Sequence, residues 1–283
     1  MTKLRFAVLG DPIAHSRSPV MHRAAYAALG LPHVYEALRV SGDDLLGAVQ
    51  ALRSNTFAGL NVTVPHKRRV LSFVDTIAPS ARAVGAANTL VRSASGAVTA
   101  LNTDAPALAE ELRTLANPDM SWSLSRALVL GSGGAALAAV AALAELGAGE
   151  IVVRARSFDN PDRRAAFVRA AAAAVVVQPW RASSECEQAT RAIVQATSAG
   201  MAGADSGDAV ASVVDWQSLG ADAVALDVVY SPRDTPFLDA ARRRGVRCVG
   251  GLGMLARQGA LAFEAWLNCP APLEAMRSAL DQP

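Results

Sequence analysis

Residues 127–136 read Ala-Leu-Val-Leu-Gly-Ser-Gly-Gly-Ala-Ala, and this stretch is the strongest indication of the fold. Its apolar residues predict a short buried strand, and the rest fits G-x-G-x-x-G/A, the pattern of a strand-to-helix turn that holds a pyrophosphate. Glycines let the backbone approach an anion closely, and the start of the next helix offers it unpaired N–H groups. A glycine turn that merely packs a helix on a sheet is the alternative. We predict that five consecutive residues contact a dinucleotide: Gly131, Ser132, Gly133, Gly134 and Ala135.

The end of the next predicted strand, residues 150–153, bears on which dinucleotide is bound. An NAD site usually has an Asp or Glu there to bind the ribose 2′-hydroxyl. This chain instead has Arg154, Ala155, Arg156 and Ser157. Because guanidinium and hydroxyl groups suit a 2′-phosphate, the sequence favours NADP(H) as the cofactor. NAD stays possible because Asp159 follows shortly after. The alternative without a ligand is that Arg154 and Arg156 form a solvated edge of the sheet.

Short apolar strands alternate with alanine-rich helical stretches along the rest of the chain, which predicts an α/β fold with mostly parallel sheets. The 283 residues suggest roughly two domains. One β-hairpin is expected, with strands at residues 86–92 and 97–102 and its turn at Ser95-Gly96. The uncharged run 127–144 is long enough to imitate a membrane span, but its glycines and small residues favour a strand, turn and helix.

Composition excludes several classes of function. With 27 Lys plus Arg against 25 Asp plus Glu, the formal charge is +2, so nothing favours nucleic acid or a membrane surface as a partner. Aromatic residues make up 5%, too few to suggest base-stacking platforms. Three scattered cysteines and four histidines have neither disulfide nor metal-ligand spacing, so we expect no metal and a reducing cytoplasm.

Polar residues follow three strands of the first half, where a parallel sheet binds its ligands. Ser16 and Ser18 lie before a helix at Pro19 and would suit a small carboxylate, although Ser18 could simply cap that helix. Asn61 and Thr63 share one face of a strand predicted over residues 57–64. A helix is predicted to open at Pro65.

Lys67 then falls in the first turn of that predicted helix, where the dipole disfavours an ammonium and so suggests proton transfer. Asp104, just before a helix at Pro106, could orient Lys67 and share its proton, or could be only a helix cap. The alternative for residues 67–69 as a whole is a solvated basic face.

With these residues in hand, the chain resembles the shikimate dehydrogenases over residues 10–266. The motifs that carry the resemblance are specific in combination. They are Pro12-Ile13-Ala14-His15-Ser16-Arg17-Ser18-Pro19, Asn61-Val62-Thr63-Val64-Pro65-His66-Lys67, Gly85-Ala86-Ala87-Asn88-Thr89, Asn102-Thr103-Asp104, Asp227-Val228-Val229-Tyr230-Ser231-Pro232 and Gly251-Leu252-Gly253-Met254-Leu255.

The resemblance implies NADP-dependent reduction of 3-dehydroshikimate to shikimate, in the biosynthesis of chorismate and aromatic amino acids. It implies a substrate-binding domain over 1–104, with 252–283 packing back onto it, and a Rossmann domain over 105–251. Lys67 would transfer the proton and Asp104 would assist it. The substrate would be bound by Ser16, Ser18, Asn61, Thr63, Asn88, Tyr230 and Gln258. Beyond the glycine turn, the cofactor would face Ala155, Arg156, Ser157, Val228 and Gly251.

The chain departs from the family where Ala155 replaces an asparagine of the cofactor motif, which leaves the strictness of NADP preference open. The nearest alternative is therefore an NAD-using quinate/shikimate dehydrogenase. A non-catalytic dinucleotide-binding sensor would explain the glycine turn but not Ser16, Lys67, Asp104 and Gln258 together. A two-domain folate or amino-acid dehydrogenase shares the architecture but not the serine loop. Either a monomer or a homodimer is compatible with the sequence.

Overall fold

The computed structural model of the chain describes residues 2–201, 203–220 and 222–282. Two compact units divide it, one formed by Met1–Asp104 with Leu255–Pro283 and the other by Ala105–Met254. We call them the first unit and the second unit. The chain passes from the first to the second within one helix, at Asp104, and returns within another, at Met254.

Strands and helices alternate throughout, as the pattern of apolar stretches predicts. Those of the first 104 residues are β1 (Arg5–Gly10), α1 (Ser18–Ala28), β2 (Val34–Arg39), α2 (Leu45–Arg53), β3 (Gly59–Val62), β4 (Thr76–Ile77), α3 (Pro79–Val84), β5 (Thr89–Arg92) and β6 (Val98–Leu101). A 3₁₀ helix spans Arg69–Phe73.

Another group of elements completes the chain. They are α4 (Asp104–Leu115), β7 (Arg126–Leu130), α5 (Gly134–Glu145), β8 (Glu150–Arg154), α6 (Pro161–Ala170), β9 (Val176–Gln178), α7 (Ser184–Ala189), β10 (Thr190–Gln195), α8 (Asp208–Ala211), β11 (Val224–Asp227), α9 (Pro236–Arg243), β12 (Arg247–Val249), α10 (Leu252–Leu267) and α11 (Leu273–Asp281). The uncharged run 127–144 is the strand, turn and helix that its glycines predict.

The first unit is built on a six-stranded sheet of order β2-β1-β3-β5-β6-β4. Strand β1 pairs in parallel with β2 and β3, while β3, β5 and β6 are antiparallel neighbours. The hairpin of β5 and β6 turns at Gly96, as the sequence predicts. Because β1 has strands on both sides and is covered on both faces, its last five residues are buried, whereas edge strand β2 alternates.

The second unit contains a six-stranded parallel sheet of order β12-β11-β10-β7-β8-β9. The strand order reverses between β7 and β10, and open parallel sheets bind ligands beyond the carboxyl ends of the strands at such a reversal. The glycine turn follows β7, and Ala196 follows β10. This is the Rossmann arrangement that the first motif predicts, so the α/β fold class with a Rossmann unit is confirmed.

Candidate active site

Lys67 and Asp104 form an ion pair in the first unit, with 2.7 Å between Nζ and Oδ2. Lys67 follows β3, and Asp104 is the first residue of α4 after β6. The Asp104 side chain is 5% exposed and that of Lys67 is 16% exposed. The structure thus places an ammonium and a carboxylate in contact, with the ammonium able to meet a ligand, which is an arrangement suited to proton transfer.

The prediction that a helix begins at Pro65 is wrong. Residues 64–68 form successive turns, and the 3₁₀ helix begins only at Arg69. The backbone of Lys67 accepts a hydrogen bond from the Ala87 N–H at 2.7 Å, a partner twenty residues away that no local pattern reveals. The helix-dipole reason for selecting Lys67 therefore fails, and its ion pair with Asp104 takes its place.

Asp104 is more than a helix cap. The carboxamide of Asn102 accepts a hydrogen bond from the Asp104 N–H at 3.0 Å, so Asn102 supplies the cap-like bond. The second carboxylate oxygen, Oδ1, lies 2.8 Å from Nδ2 of Asn88, and that same nitrogen lies 3.2 Å from Oε1 of Gln258. Asn88 therefore joins Asp104 to Gln258, which lies 170 positions further along the chain than Asn88, in α10.

Asn61 and Thr63 differ in burial although the pattern puts them on one face. Asn61 is buried, and its Nδ2 donates to the backbone oxygen of Asn88 at 2.9 Å and to Oγ1 of Thr89 at 3.1 Å. Thr63 is half-buried at the end of β3. Asn61 therefore supports Asn88 from behind, whereas Thr63 is accessible to a ligand.

The serine loop also separates two roles. Ser18 is the first residue of α1 and is buried, while Ser16 is half-buried and its hydroxyl accepts a hydrogen bond from the Ser18 N–H at 3.4 Å. The cap position of α1 belongs to Arg17, which makes no side-chain capping bond. The simple interpretation of Ser18 as a helix cap is therefore wrong.

In the second unit, Gly131 adopts φ +125°, which favours glycine, and a Cβ there would lie 2.8 Å from the Ala196 carbonyl oxygen. Its N–H donates to the Arg154 carbonyl at 2.8 Å, which ties the turn to β8. Beyond it, Gly133 is exposed with open space where a Cβ would stand, directly at the start of α5. The turn therefore presents accessible backbone to an anion, which fits a dinucleotide pyrophosphate.

The two arginines at the end of β8 differ in burial and in their ion-pair partners. Arg156 is 65% exposed and pairs with Asp205 at 3.0 Å. Arg154 is fully buried and binds Glu187, so the alternative of a solvated arginine edge is wrong for Arg154. A hydrogen bond of 2.7 Å joins the hydroxyls of Ser132 and Ser157, which brings the glycine turn and the strand end together. Ala155, between the two arginines, is buried.

The loop after β11 carries the remaining candidates, Val228 and Tyr230, both half-buried. The Val228 N–H donates to the backbone oxygen of Gln195 at 3.0 Å. A Cβ on Gly251 would overlap the carbonyl group of Val228, so only glycine allows the backbone before α10 to come this close. The loop and Gly251 thus lie together at the carboxyl end of the second sheet.

The sequence interpretation missed Asp227, which organises this loop from the last position of β11. Its carboxylate accepts hydrogen bonds from the Val229 N–H at 2.9 Å and the Thr235 hydroxyl at 2.6 Å, and Thr235 in turn caps α9. A carboxylate ending a buried strand was the available signal. Burial raises the pKa of Asp227 to about 6, although both hydrogen bonds act against this.

We expect Asp227→Asn to change the pH dependence of stability. A folded-state pKa raised from 3.8 to about 6 stabilises the fold below pH 4, and this contribution is lost as pH rises through 6. The free energy of unfolding, wild type minus variant, should therefore fall by about 2 kcal/mol between pH 4 and pH 7 in urea titrations.

Asp215→Asn is the control of opposite sign. Hydrogen bonds from the Ser184 and Ser218 hydroxyls lower the pKa of Asp215, so the same difference should rise with pH as its carboxylate forms. A difference that stays constant for Asp227→Asn across this range would contradict the raised pKa.

The structure was also searched for metal-binding clusters and for membrane-spanning helices. Within residues 2–201, 203–220 and 222–282, no group of three or more His, Cys, Asp or Glu side chains could hold a metal ion. In the same residues, no helix has both the length and the apolarity that crossing a bilayer requires.

Comparison with known proteins places these features in one family. Residues 8–90 match the family model described as the shikimate dehydrogenase substrate binding domain, and residues 251–280 match the shikimate 5′-dehydrogenase C-terminal domain. A shikimate dehydrogenase (NADP(+)) of Microcystis aeruginosa is 38% identical over 99% of this chain and 96% of its own.

Two solved structures have folds similar to that of this chain. Shikimate 5-dehydrogenase from Thermus thermophilus, in complex with NADP(H) and shikimate, has a TM-score of 0.81 and 36% identity, with 98% of each chain covered. A 5-ketofructose reductase of Gluconobacter, in its ligand-free form, has a TM-score of 0.84 and 30% identity, with 99% of each chain covered.

A Rossmann unit with an accessible glycine turn, together with a lysine–aspartate pair in a separate α/β unit, defines a dinucleotide-dependent oxidoreductase. The chain belongs to the shikimate dehydrogenase family.

Proposed function

We propose that this protein catalyses the NADP-dependent, reversible reduction of 3-dehydroshikimate to shikimate in chorismate biosynthesis. The observation that carries the proposal is the Lys67–Asp104 ion pair, held by Asn88 beside Gln258. This cluster joins residues of four separate segments, and a binding sensor needs no such acid–base pair. The names of the relatives support the substrate.

Lys67 acts as the acid in the reducing direction. Its Nζ donates a proton to the substrate carbonyl oxygen, which becomes the hydroxyl of shikimate, and it takes the proton back in the oxidising direction. Asp104 Oδ2 accepts a hydrogen bond from Nζ and orients it, while Asn88 holds the other carboxylate oxygen. Because the Asp104 side chain is nearly buried, the geometry of the pair is maintained before substrate arrives.

The remaining first-unit candidates bind the substrate. Ser16 and Ser18 lie at the start of α1, where hydroxyls and free N–H groups favour the substrate carboxylate. Thr63, Asn61, Asn88 and Gln258 supply polar atoms for the hydroxyl groups, with Asn61 acting through Asn88. Tyr230 of the second unit is proposed for the same set on the family resemblance.

The second unit fits NADP(H). The accessible backbone at Gly133 and the start of α5 would hold the pyrophosphate, and Arg156 with Ser157 would hold the 2′-phosphate. Val228 and Gly251 would line the nicotinamide side. When bound, NADPH supplies the hydride for the carbonyl carbon. The Arg156 side chain is 65% exposed, so its guanidinium is accessible to an anion beside its pairing with Asp205.

An initial-rate matrix tests the function. Shikimate and quinate are each oxidised with NADP⁺ and with NAD⁺, and reduction of 5-ketofructose with NADPH is measured alongside. We expect shikimate with NADP⁺ to have the highest kcat/KM. A preference for NAD⁺ with quinate would identify the alternative quinate/shikimate enzyme, faster ketofructose reduction a sugar reductase, and no absorbance change with any substrate a sensor.

Arg156→Ala should raise the KM for NADP⁺ by about ten- to a hundred-fold while leaving the KM for NAD⁺ within about two-fold, because one charge-assisted pair to the 2′-phosphate is lost. Arg242→Ala is the matched control, since Arg242 is also a half-exposed arginine paired with an aspartate, Asp234. Equal effects on both cofactors would contradict the role of Arg156.

The compartment and assembly belong to the same proposal. We place the reaction in the cytoplasm, which fits NADPH-dependent biosynthesis and three cysteines that are free thiols. A monomer or a homodimer is expected, and light scattering of the purified protein distinguishes them.

A further inference from the structure

Tyr35 of β2 lies behind the substrate residues, and its phenol group is 1% exposed. The Oη donates to Oδ1 of Asn61 at 2.6 Å. One buried hydroxyl of β2 thus supports Asn61 of β3, a residue 26 positions away in the sequence.

Asn61 passes this connection to the catalytic pair. Its Nδ2 donates to the Asn88 backbone oxygen at 2.9 Å, and Nδ2 of Asn88 lies 2.8 Å from the Asp104 carboxylate. The backbone oxygen of Asn88 can only accept, so the amide hydrogens of Asn61 face it and Thr89. Oδ1 of Asn61 is then left to accept the phenol proton of Tyr35, which holds the amide from its other branch.

The chemistry around Tyr35 keeps it a donor. Burial raises the pKa of Tyr35 well above 10, so the phenol retains its proton. His22 stacks on its ring at 4.2 Å between centroids, and burial lowers the pKa of His22 to about 3, so this neighbour carries no charge. The hydrogen-bond direction from Tyr35 to Asn61 is therefore constant across the working pH range.

Tyr26 of α1 shows that a hydroxyl is not needed for packing in this cluster. It is 2% exposed and packs against Phe6 and Phe263, yet its phenol oxygen has no hydrogen-bond partner among the described residues. The two buried tyrosines thus differ in one respect, because the hydroxyl of Tyr35 bonds a site residue and that of Tyr26 bonds none of the described residues.

We propose that Tyr35 is a positioning residue, which holds Asn61, and through it Asn88, in the orientations that the substrate site requires. The inference rests on the proposed function. Asn61 and Asn88 both belong to the proposed substrate-binding set, whereas Lys67 is reached only through Asn88 and Asp104. Removal of the hydroxyl should therefore weaken substrate binding more than it slows turnover.

Tyr35→Phe tests this, with Tyr26→Phe as the matched control. We expect Tyr35→Phe to raise the KM for shikimate about three- to ten-fold, with kcat within about two-fold and the KM for NADP⁺ unchanged. The dissociation constant of shikimate, measured by calorimetry without cofactor, should rise by a similar factor. Tyr26→Phe should match the wild type in each measurement.

A double-mutant cycle with Asn61→Ala adds a test that general destabilisation would not pass. If the hydroxyl acts through Asn61, Tyr35→Phe should have a smaller effect on shikimate binding in the Asn61→Ala background. All binding is measured at one temperature, well below the unfolding midpoint of every variant, so that each protein in the cycle is folded.

Three results would overturn the inference. They are an unchanged shikimate KM in Tyr35→Phe, an equal rise in Tyr26→Phe, and full additivity with Asn61→Ala. In each case an active wild type leaves the proposed function standing. A wild type that neither binds nor oxidises shikimate would instead remove the proposed function, and this inference with it.

Discussion

Lys67→Ala should lower kcat for shikimate oxidation by about 10²- to 10⁴-fold while changing the KM for shikimate only a few-fold. Lys67 is the group placed to carry the proton, and Asp104 is its partner at 2.7 Å. In the proposed function, substrate affinity depends mainly on the serine loop and the Asn88 cluster, whose internal hydrogen bonds do not involve Lys67. Steady-state rates with saturating NADP⁺ measure both constants.

Arg68→Ala is the control for Lys67→Ala. It removes the next positive charge along the same turn, from an exposed side chain, so kcat should stay close to that of the wild type. Near-normal turnover in Lys67→Ala would refute the catalytic assignment. An equal loss in both variants would mean that the charge of the basic run matters rather than the ion pair.

Glu187→Ala should lower the free energy of unfolding by about 3–5 kcal/mol, because it leaves the buried guanidinium of Arg154 without its counter-charge. Both side chains are fully buried, with Nη1–Oε1 at 2.7 Å and Nη2–Oε2 at 3.1 Å. Glu187 also accepts the Asp215 N–H at 3.0 Å, so the substitution leaves a second donor unpaired. Urea unfolding followed by circular dichroism measures the change.

Glu110→Ala is the matched control for the buried pair. Glu110 pairs with Arg113 on the exposed face of α4, where solvent screens the charges, so the loss should be below about 1 kcal/mol. A second comparison uses Arg154→Met with Glu187→Leu, which removes both charges and should cost less than Glu187→Ala. If Glu187→Ala and Glu110→Ala lowered the free energy of unfolding equally, the buried ion pair would contribute no more to stability than an exposed one.

Local patterns were sufficient for several elements. The strand, glycine turn and helix of residues 126–145 follow from a short apolar run, closely spaced glycines and a run of alanines, all of which act on neighbouring backbone. The hairpin turn was predictable from Ser95-Gly96, because a glycine freely adopts the positive φ, here +89°, that the turn requires. These features depend on contacts within a few residues, so the sequence shows them.

Other features failed or were missed because their partners are distant. Pro65 predicts a helix start, yet the Lys67 backbone pairs with Ala87 instead. Arg154 and Arg156 look alike in the sequence, but Arg154 ends the strand inside the unit and finds Glu187, 33 positions away, whereas Arg156 lies beyond the strand in solvent. Tyr35 belongs to no motif and is recognised only by its hydrogen bond to Asn61, 26 positions away.

The α/β class, the Rossmann turn, the family resemblance and the residue types of the acid–base pair can be predicted from the amino-acid sequence. Which of those residues meet depends on the three-dimensional fold: Lys67 contacts Asp104, Asn88 contacts Gln258, and Arg156 rather than Arg154 has an accessible carboxylate partner. Secondary structure and turns depend on local backbone preferences. A site, by contrast, depends on side chains that only strand order and packing bring within hydrogen-bonding distance.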